Sequence, residues 1–330
     1  MGNKKMNILV TGGAGFIGSH TVRLLLNKKY KIIILDNLSK GHKKSILKDV
    51  KFHKTDLADK NNIKKIFQEN KIDAVMHFAG YIEAEESMKR PKDFYRNNVV
   101  TTINLLDVML EFNVKNLIFS SSAAIFGIPK NIPVDEDAEK NPFNVYGTTK
   151  LIVEKILNDY DFTYGLKSIC LRYFNAAGAG YGIGEDHNPE THLIPLVLKV
   201  ALGKNKKIQI FGTDYPTKDG TCIRDYIHVL DLADAHILAL QRLLKTKKSE
   251  QYNLGSEQGY SVREIIEIAR EITNKKILVA EAKRRVGDIP ILIADSSKIK
   301  KELGWNPKFA LRDIIKSAWE WHKNNPGGFK

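Results

Sequence analysis

The apolar run Ile8-Leu9-Val10, followed at once by Thr11-Gly12-Gly13-Ala14-Gly15-Phe16-Ile17-Gly18, constrains the fold more than any other stretch of the chain. Aliphatic residues in so short a run read as a buried strand, and the glycines close it with a tight turn. Beyond the turn, Phe16, Ile17, Val22, Leu24 and Leu25 recur with helical periodicity to about Asn27. A strand, a glycine turn and a helix leave a helix N-terminus with unsatisfied N–H groups and a positive dipole end.

The glycines space as G-x-x-G-x-x-G from Gly12 and as G-x-G-x-x-G from Gly13. Such a turn lets the backbone approach a pyrophosphate and seats it on the helix N-terminus. A second strand, Lys31 to Leu35, ends in Asp36-Asn37, at the distance where a carboxylate meets an adenosine ribose. Asp36 would repel a 2′-phosphate, so NAD is expected rather than NADP.

The same rhythm continues through Val50 to Thr55 with Asp56-Leu57, then Asp73 to Ala79, a helix from about Lys92 to Phe112, and a strand Asn116 to Ser122. Alternating strands and helices predict an α/β fold with a Rossmann-type doubly wound parallel sheet. Strand ends in such sheets face the ligand crevice, which draws attention to Phe78-Ala79-Gly80 and Ser120-Ser121-Ser122.

Tyr146-Gly147-Thr148-Thr149-Lys150 places a phenol and an ammonium four residues apart, on one face if the segment is helical. Asn144 or Asn141, with Pro142 between, supplies a helix start, and Leu151, Ile152, Val153, Ile156 and Leu157 continue an apolar stripe. A nearby positive charge lowers a phenol from its usual pKa near ~10, so Tyr146 is a candidate base.

A net charge of +14 invites a nucleic-acid reading, but the lysines are scattered as doublets such as Lys43-Lys44, Lys206-Lys207 and Lys275-Lys276. They lack the interleaved aromatics of a stacking platform, so a solvated basic surface and no nucleic-acid partner are expected. Cys170 and Cys222 have no metal or redox spacing, and no metal ligand set is expected. Ile8-Leu9-Val10 is too short for a signal-peptide core, and Met6 stands where acylation of Gly2 would need Ser or Thr. No segment is apolar enough to span a bilayer, so a cytoplasmic protein without a membrane partner is expected.

Together the glycine turn, Asp36-Asn37, Asp56-Leu57, Ser120-Ser121-Ser122-Ala123 and the Tyr146/Lys150 segment resemble the extended short-chain dehydrogenase/reductase family. Arg172-Tyr173-Phe174-Asn175-Ala176-Ala177-Gly178 and the stretch Asp219 to Val229 carry the resemblance along nearly the whole chain, toward the family's nucleotide-sugar epimerases.

The resemblance implies an NAD site. Gly12, Gly15, Phe16, Ile17 and Gly18 would hold the pyrophosphate end, with Asp36, Asn37, Asp56 and Leu57 at the adenosine. Phe78, Ala79, Gly80 and Asn97 would follow, with Ser120, Tyr146, Lys150 and Tyr173 at the nicotinamide end. It also implies a reaction on a UDP-sugar. Tyr146 would take the 4-hydroxyl proton as C4 passes a hydride to NAD+, Lys150 would hold the nicotinamide ribose and lower the phenol pKa, and Ser122 would share the hydrogen bond. The 4-keto sugar would turn over and take the hydride back, interconverting UDP-galactose and UDP-glucose.

By the same resemblance, Asn175, Leu193, Phe211, Arg224, Arg285 and Asp288 line the UDP end, with the arginines at the phosphates. Leu292 matches a position near the sugar 2-substituent that is tyrosine in strict glucose/galactose enzymes, so UDP-GlcNAc and UDP-GalNAc are expected to fit as well. Sugar-nucleotide dehydratases carry Asp-Glu after the residue matching Ser122; Ala123-Ala124 here cannot move a proton, which favours epimerisation. A cofactor-sensing or nucleic-acid-binding protein on the same scaffold is the alternative outside enzymology.

Three positions depart from the pattern: Tyr81-Ile82-Glu83 lacks a lysine that some members carry, His192 stands for an asparagine, and Phe126 for a tyrosine. The expected organisation is an NAD-binding domain over 1–178, to which about 226–256 returns, and a nucleotide-sugar-binding α/β domain over 179–330, in a homodimer. In the second region Glu190 to Gly203, Leu232 to Leu244 and Val262 to Thr273 read as helices, and Lys207 to Phe211 as a strand.

Overall fold

β1 (Asn7–Thr11) is followed by α1 (Phe16–Asn27), β2 (Lys31–Asp36), β3 (Lys51–Lys54), α2 (Lys60–Glu69) and β4 (Ala74–His77). Then come α3 (Ala84–Lys89), α4 (Pro91–Phe94), α5 (Thr101–Glu111), β5 (Asn116–Ser122), α6 (Val145–Tyr164), β6 (Lys167–Tyr173) and β7 (Asn175–Ala177). After these run α7 (Leu193–Ala201), β8 (Ile208–Phe211), β9 (Ile223–His228), α8 (Val229–Thr246), β10 (Glu250–Leu254), β11 (Gly259–Ser261) and α9 (Val262–Thr273). β12 (Val279–Ala282), β13 (Ile291–Leu292), α10 (Ser297–Leu303) and α11 (Leu311–Asn324) complete the chain. This is a computed structural model; it describes residues 6–285 and 288–329, and the reading made of Gly2 lies outside them.

Seven strands form one sheet in the order β10-β6-β5-β4-β1-β2-β3. β1 pairs in parallel with both β2 and β4, so the chain reverses its direction of travel across the sheet beside β1, at the switch point where ligands bind in such folds. The central strands β1, β2 and β4 are buried almost without a break, as expected of parallel strands covered on both faces, whereas the edge strand β3 is not. Leu9, Ile33, Leu35, Val75 and Leu117 meet Leu105, Leu106 and Met109 of α5 and Val153 and Leu157 of α6 in one buried cluster. Cys170 and Cys222 are both buried and free.

The chain divides into two compact units. One comprises residues through Gly127, Lys140–Arg172 and Ala233–Tyr252; the other comprises Ile128–Glu139, Tyr173–Leu232 and Asn253 onward. Segment 128–139 falls outside the sheet unit because Val134 bridges to Ala294, donates its N–H to the Ile293 carbonyl at 2.8 Å and accepts from Asn253 Nδ2 at 2.9 Å. Residues 173–178 join it there because β7 pairs with β9.

In the second unit β11, β9 and β13 form a sheet to which β7 adds, and β12 pairs with β8. Ile194, Val197 and Leu198 of α7 pack with Ile265 and Ile266 of α9 and Ile314 and Ile315 of α11. α9 matches its expected span, fixed by a capping box between Ser261 and Glu264. α7 is shorter than expected because Glu190 Oε1 accepts from the N–H groups of Thr191 and His192, at 2.8 and 2.9 Å, and makes a turn there. α8 is longer than expected at both ends. The helix expected over 92–112 is present but changes pitch, with a π-helical turn at Tyr95–Val100 between α4 and α5. Among the described residues no helix is long and apolar enough to cross a membrane.

Candidate active site

The glycines of the first turn divide their tasks. Gly12 has φ +70°, a left-handed conformation, and a Cβ there would fall 2.6 Å from the Ala79 nitrogen. Gly18 lets α1 pack on the turn, since its Cβ would meet the Gly12 carbonyl oxygen at 2.3 Å. Gly15 is the N-cap of α1 without a capping side chain, its Cβ would meet nothing closer than 3.3 Å, and the first turn of α1 holds no acidic residue. Backbone at Gly15 is therefore approachable, and the N-terminus is left for an anion.

Asp36, at the end of β2, is buried and accepts from Ala14 N at 3.0 Å and Leu38 N at 2.8 Å. Burial pushes its carboxyl upward against these two bonds and the nearby His42. A carboxylate offers about four lone-pair sites, so two remain for a diol. Asn37 Nδ2 donates to Asp56 Oδ2 at 2.7 Å, joining two more of the expected residues, while Leu57 is buried in the core.

Where β4 ends, Phe78 N donates to the Thr11 carbonyl at 3.0 Å, and Gly80 lies beside Asn98 and Lys150. Asn98 is the residue the sequence reading missed. Its Oδ1 accepts from Tyr81 N at 2.8 Å, and its Nδ2 donates to the Tyr81 carbonyl at 3.0 Å and to Thr149 Oγ1 at 3.1 Å. It thereby ties the Gly80 loop to α6, while the expected Asn97 donates to Asn98 Oδ1 at 3.0 Å. Both asparagines stand in the π-helical turn, a feature often found at functional sites.

Ser120, Ser121 and Ser122 alternate in direction, as strand residues must. The Ser120 carbonyl accepts from Lys150 Nζ at 2.8 Å. Ser121 turns the other way and donates to Glu154 Oε1 at 2.5 Å, where Glu154 also pairs bidentately with Arg172 through Nε at 3.0 Å and Nη2 at 2.7 Å. Ser122 hydrogen-bonds the Tyr146 phenol and accepts from Ala124 N at 3.1 Å.

α6 begins at Asn144, whose Oδ1 accepts from Gly147 N at 2.7 Å, and Tyr146 N donates to Ser87 Oγ at 3.0 Å. Both bonds satisfy first-turn N–H groups and fix the entry of the helix. Tyr146 and Lys150 share a face as the spacing predicts, with Lys150 Nζ 5.9 Å from the Tyr146 ring centre.

One expectation is corrected. The phenol does not lie below its usual value; burial pushes Tyr146 upward, opposed by its bond to Ser122 and reinforced by the negative charge of Glu83. Lys150 itself is buried, which takes it down to about 8 despite Glu154, and its proton points at the Ser120 carbonyl. Glu83, where some family members carry a lysine nearby, pairs instead with Lys40 at 2.5 Å. Burial would push Glu83 upward, but the Lys40 bond and charge hold it below the usual value.

In the second unit, Arg285 lies over the Phe211 ring at 3.8 Å, and Arg224 Nη2 stands 3.8 Å from Asp288 Oδ1. Arg224 Nη1 donates to the carbonyls of Ile223 at 2.9 Å and Ile289 at 2.6 Å. Leu292 pairs in register with Arg224 across β13 and β9, and Asn175 with Tyr226 across β7 and β9. Leu193 opens α7 against that unit's core, and Tyr173 ends β6 buried.

A glycine turn at the switch point of a Rossmann-type sheet, with serine, tyrosine and lysine converging at the ends of β5 and α6, defines an enzyme of the short-chain dehydrogenase/reductase class. Within it, the chain belongs to the NAD dependent epimerase/dehydratase family, whose profile matches residues 8–255. A UDP-glucose 4-epimerase of Halalkalibacterium halodurans is 50% identical over 98% of both chains. The UDP-glucose 4-epimerase of Bifidobacterium longum, solved with NAD+ and UDP, is 41% identical with a TM-score of 0.93 over 98% of this chain and 100% of that one. The UDP-Glc/GlcNAc 4-epimerase of Campylobacter jejuni is 44% identical with a TM-score of 0.85 over 97% and 99%.

Proposed function

We propose that this chain is an NAD-dependent UDP-sugar 4-epimerase that interconverts UDP-galactose and UDP-glucose. The observation that carries the reading is the Ser122–Tyr146–Lys150 cluster followed by Ala123-Ala124, which has a proton carrier for one hydroxyl and none for elimination.

The residues present suit the cofactor: approachable backbone at Gly15, an uncapped α1 N-terminus, and spare acceptor sites on Asp36. NAD+, when bound, supplies reversible two-electron oxidation at the sugar C4 and a positive ring charge. Tyr146 accepts the 4-hydroxyl proton, and Ser122 holds the phenol in place by their hydrogen bond. Lys150, with its pKa near 8, stays largely protonated at neutral pH and lends positive charge to the phenol's neighbourhood. In this reading the positive charges of Lys150 and NAD+ oppose the upward push that burial gives the phenol. The keto sugar offers either face to the same Tyr146, so one proton carrier serves both epimers.

The sheet unit binds NAD in this reading, and the second unit binds the UDP-sugar. Arg285 and Arg224 face the phosphates, with Phe211, Asn175, Leu193 and Asp288 around the nucleotide. Leu292 leaves room for an N-acetyl group, which extends the range to UDP-GlcNAc and UDP-GalNAc, and the enzyme works as a cytoplasmic homodimer.

Incubation of the purified protein with UDP-galactose and no added NAD tests this directly. UDP-glucose should appear, because the cofactor is retained and regenerated. No product with or without added NAD+ would remove the reading.

A further inference from the structure

In the second unit, four side chains that the proposed reaction does not use converge in one place. Glu185, His187, Glu190 and His192 each offer a donor atom, and all four atoms lie within 4.8 Å of one another. Glu185 Oε1 faces the Nδ1 atoms of two histidines at once, His187 at 3.1 Å and His192 at 2.9 Å. His192 Nδ1 is also 2.9 Å from Glu190 Oε1, so one ring nitrogen stands between two carboxylates and can donate only one proton. Glu190 has an independent deficit. Its side chain is 2% exposed, and its Oε2 is buried without a hydrogen-bond partner, 4.0 Å from His187 Nδ1.

We infer that Glu185, His187, Glu190 and His192 form a divalent metal site of the zinc type. A tetrahedral zinc ion with bonds of ~2.0–2.1 Å spaces its donor atoms ~3.3 Å apart, near the 2.9 and 3.1 Å between Glu185 Oε1 and the two histidines, with the remaining donors within 4.8 Å. Two imidazoles and two carboxylates match its preference for nitrogen and oxygen donors. The ion would complete the coordination of Glu190 Oε2 and replace the crowded sharing of protons around Glu185. Four protein ligands leave no open position, so the site is structural rather than catalytic.

The surroundings hold these ligands in place before any ion arrives. Gly184 packs so tightly on Trp321 of α11 that a Cβ there would come within 2.5 Å of the indole, and Asp186 Oδ2 accepts from Phe329 N at 2.8 Å. The four ligands follow Gly184 in the pattern E-x-H-x-x-E-x-H, with Asp186 between the first two, just before α7. A bound ion would therefore fix the segment that leads into Leu193.

The test uses the full-length protein, stripped with a chelator and titrated with Zn2+ against a chromophoric competitor. One tightly bound Zn2+ per chain is expected, with a rise in melting temperature, and Co2+ should give the intense visible bands of a tetrahedral site. Glu190→Gln and His187→Asn should each weaken Zn2+ by more than the ~10–100-fold that loss of an outer-shell partner costs, while Cys222→Ser leaves binding unchanged. Absence of a one-per-chain site in the unmutated protein would overturn the inference, as would Glu190→Gln binding like wild type with a native circular dichroism spectrum. Should either variant fail to fold, the stoichiometry and the Co2+ spectrum of the unmutated chain decide alone.

Discussion

Gly147 lies against Ala124 so closely that a Cβ on it would fall 2.4 Å from the Ala124 carbonyl oxygen. The obstacle is backbone, which cannot swing aside like the end of a flexible side chain. This approach seats the first turn of α6 on the 3₁₀ turn Ala123–Ile125 and brings the Tyr146 phenol to Ser122. Gly147→Ala should displace that pair. Since a misplacement of about 1 Å can cost ~10²-fold, kcat should fall on that order while the protein still folds and keeps its NAD. Steady-state kinetics with circular dichroism and a cofactor assay would check it; an unchanged kcat refutes the role given to the contact.

Tyr146→Phe removes the proton carrier and leaves the ring. The rate should drop ~10² to 10⁴-fold with UDP-galactose affinity little changed, because the lost interaction acts in proton transfer. A variant that keeps most of its kcat would transfer the base to another group.

His77 is buried between Thr11 Oγ1 at 2.6 Å and Thr102 Oγ1 at 2.9 Å. Burial, with Lys150 nearby, takes it from 6.5 down to about 3. Between those values the unfolded chain binds a proton that the folded chain refuses. The contribution to stability is thus complete above about pH 6.5 and is lost toward pH 3, at up to ~1.4 kcal/mol per pH unit. Urea unfolding of wild type and His77→Asn across this window should show a shallower acid-side slope in the variant, by about one proton. Parallel slopes would mean that His77 takes up its proton in the folded state.

Leu292 is 9% exposed and lies in register with Arg224. Leu292→Tyr fills the space assigned to an N-acetyl group, so kcat/KM for UDP-GlcNAc should fall ~10-fold or more relative to UDP-galactose. Equal losses on both substrates, measured side by side, would place the 2-substituent elsewhere.

The parts of this protein that could be read from its sequence are those specified locally. The strand at Ile8 to Thr11, its glycine turn and the following helix follow from residues within one short window, and so does the Asn144 cap that starts the helix bearing Tyr146 and Lys150. The separate tasks of Gly12, Gly15 and Gly18 needed the positions of Ala79 and of the turn itself. The π-helical turn at Tyr95–Val100 escaped because apolar periodicity does not distinguish it from an ordinary turn, and Asn98 escaped with it. The donors of the Glu185–His192 cluster stood in the sequence, but Glu190 and His192 read there as the start of a helix, and only the turn that Glu190 makes before α7 brings their atoms to Glu185 and His187.

By itself, then, the sequence determined the doubly wound scaffold, the cofactor turn and the shared face of Tyr146 and Lys150, because hydrophobic period, glycine conformation and helix capping act over a few residues. The tertiary structure alone decided the direction of the tyrosine's ionisation, the turning of Ser121 to the Glu154–Arg172 pair, and the meeting of two histidines with two glutamates. Each of these depends on burial or on partners distant along the chain, and burial sets the energy of a charge only once the chain is folded.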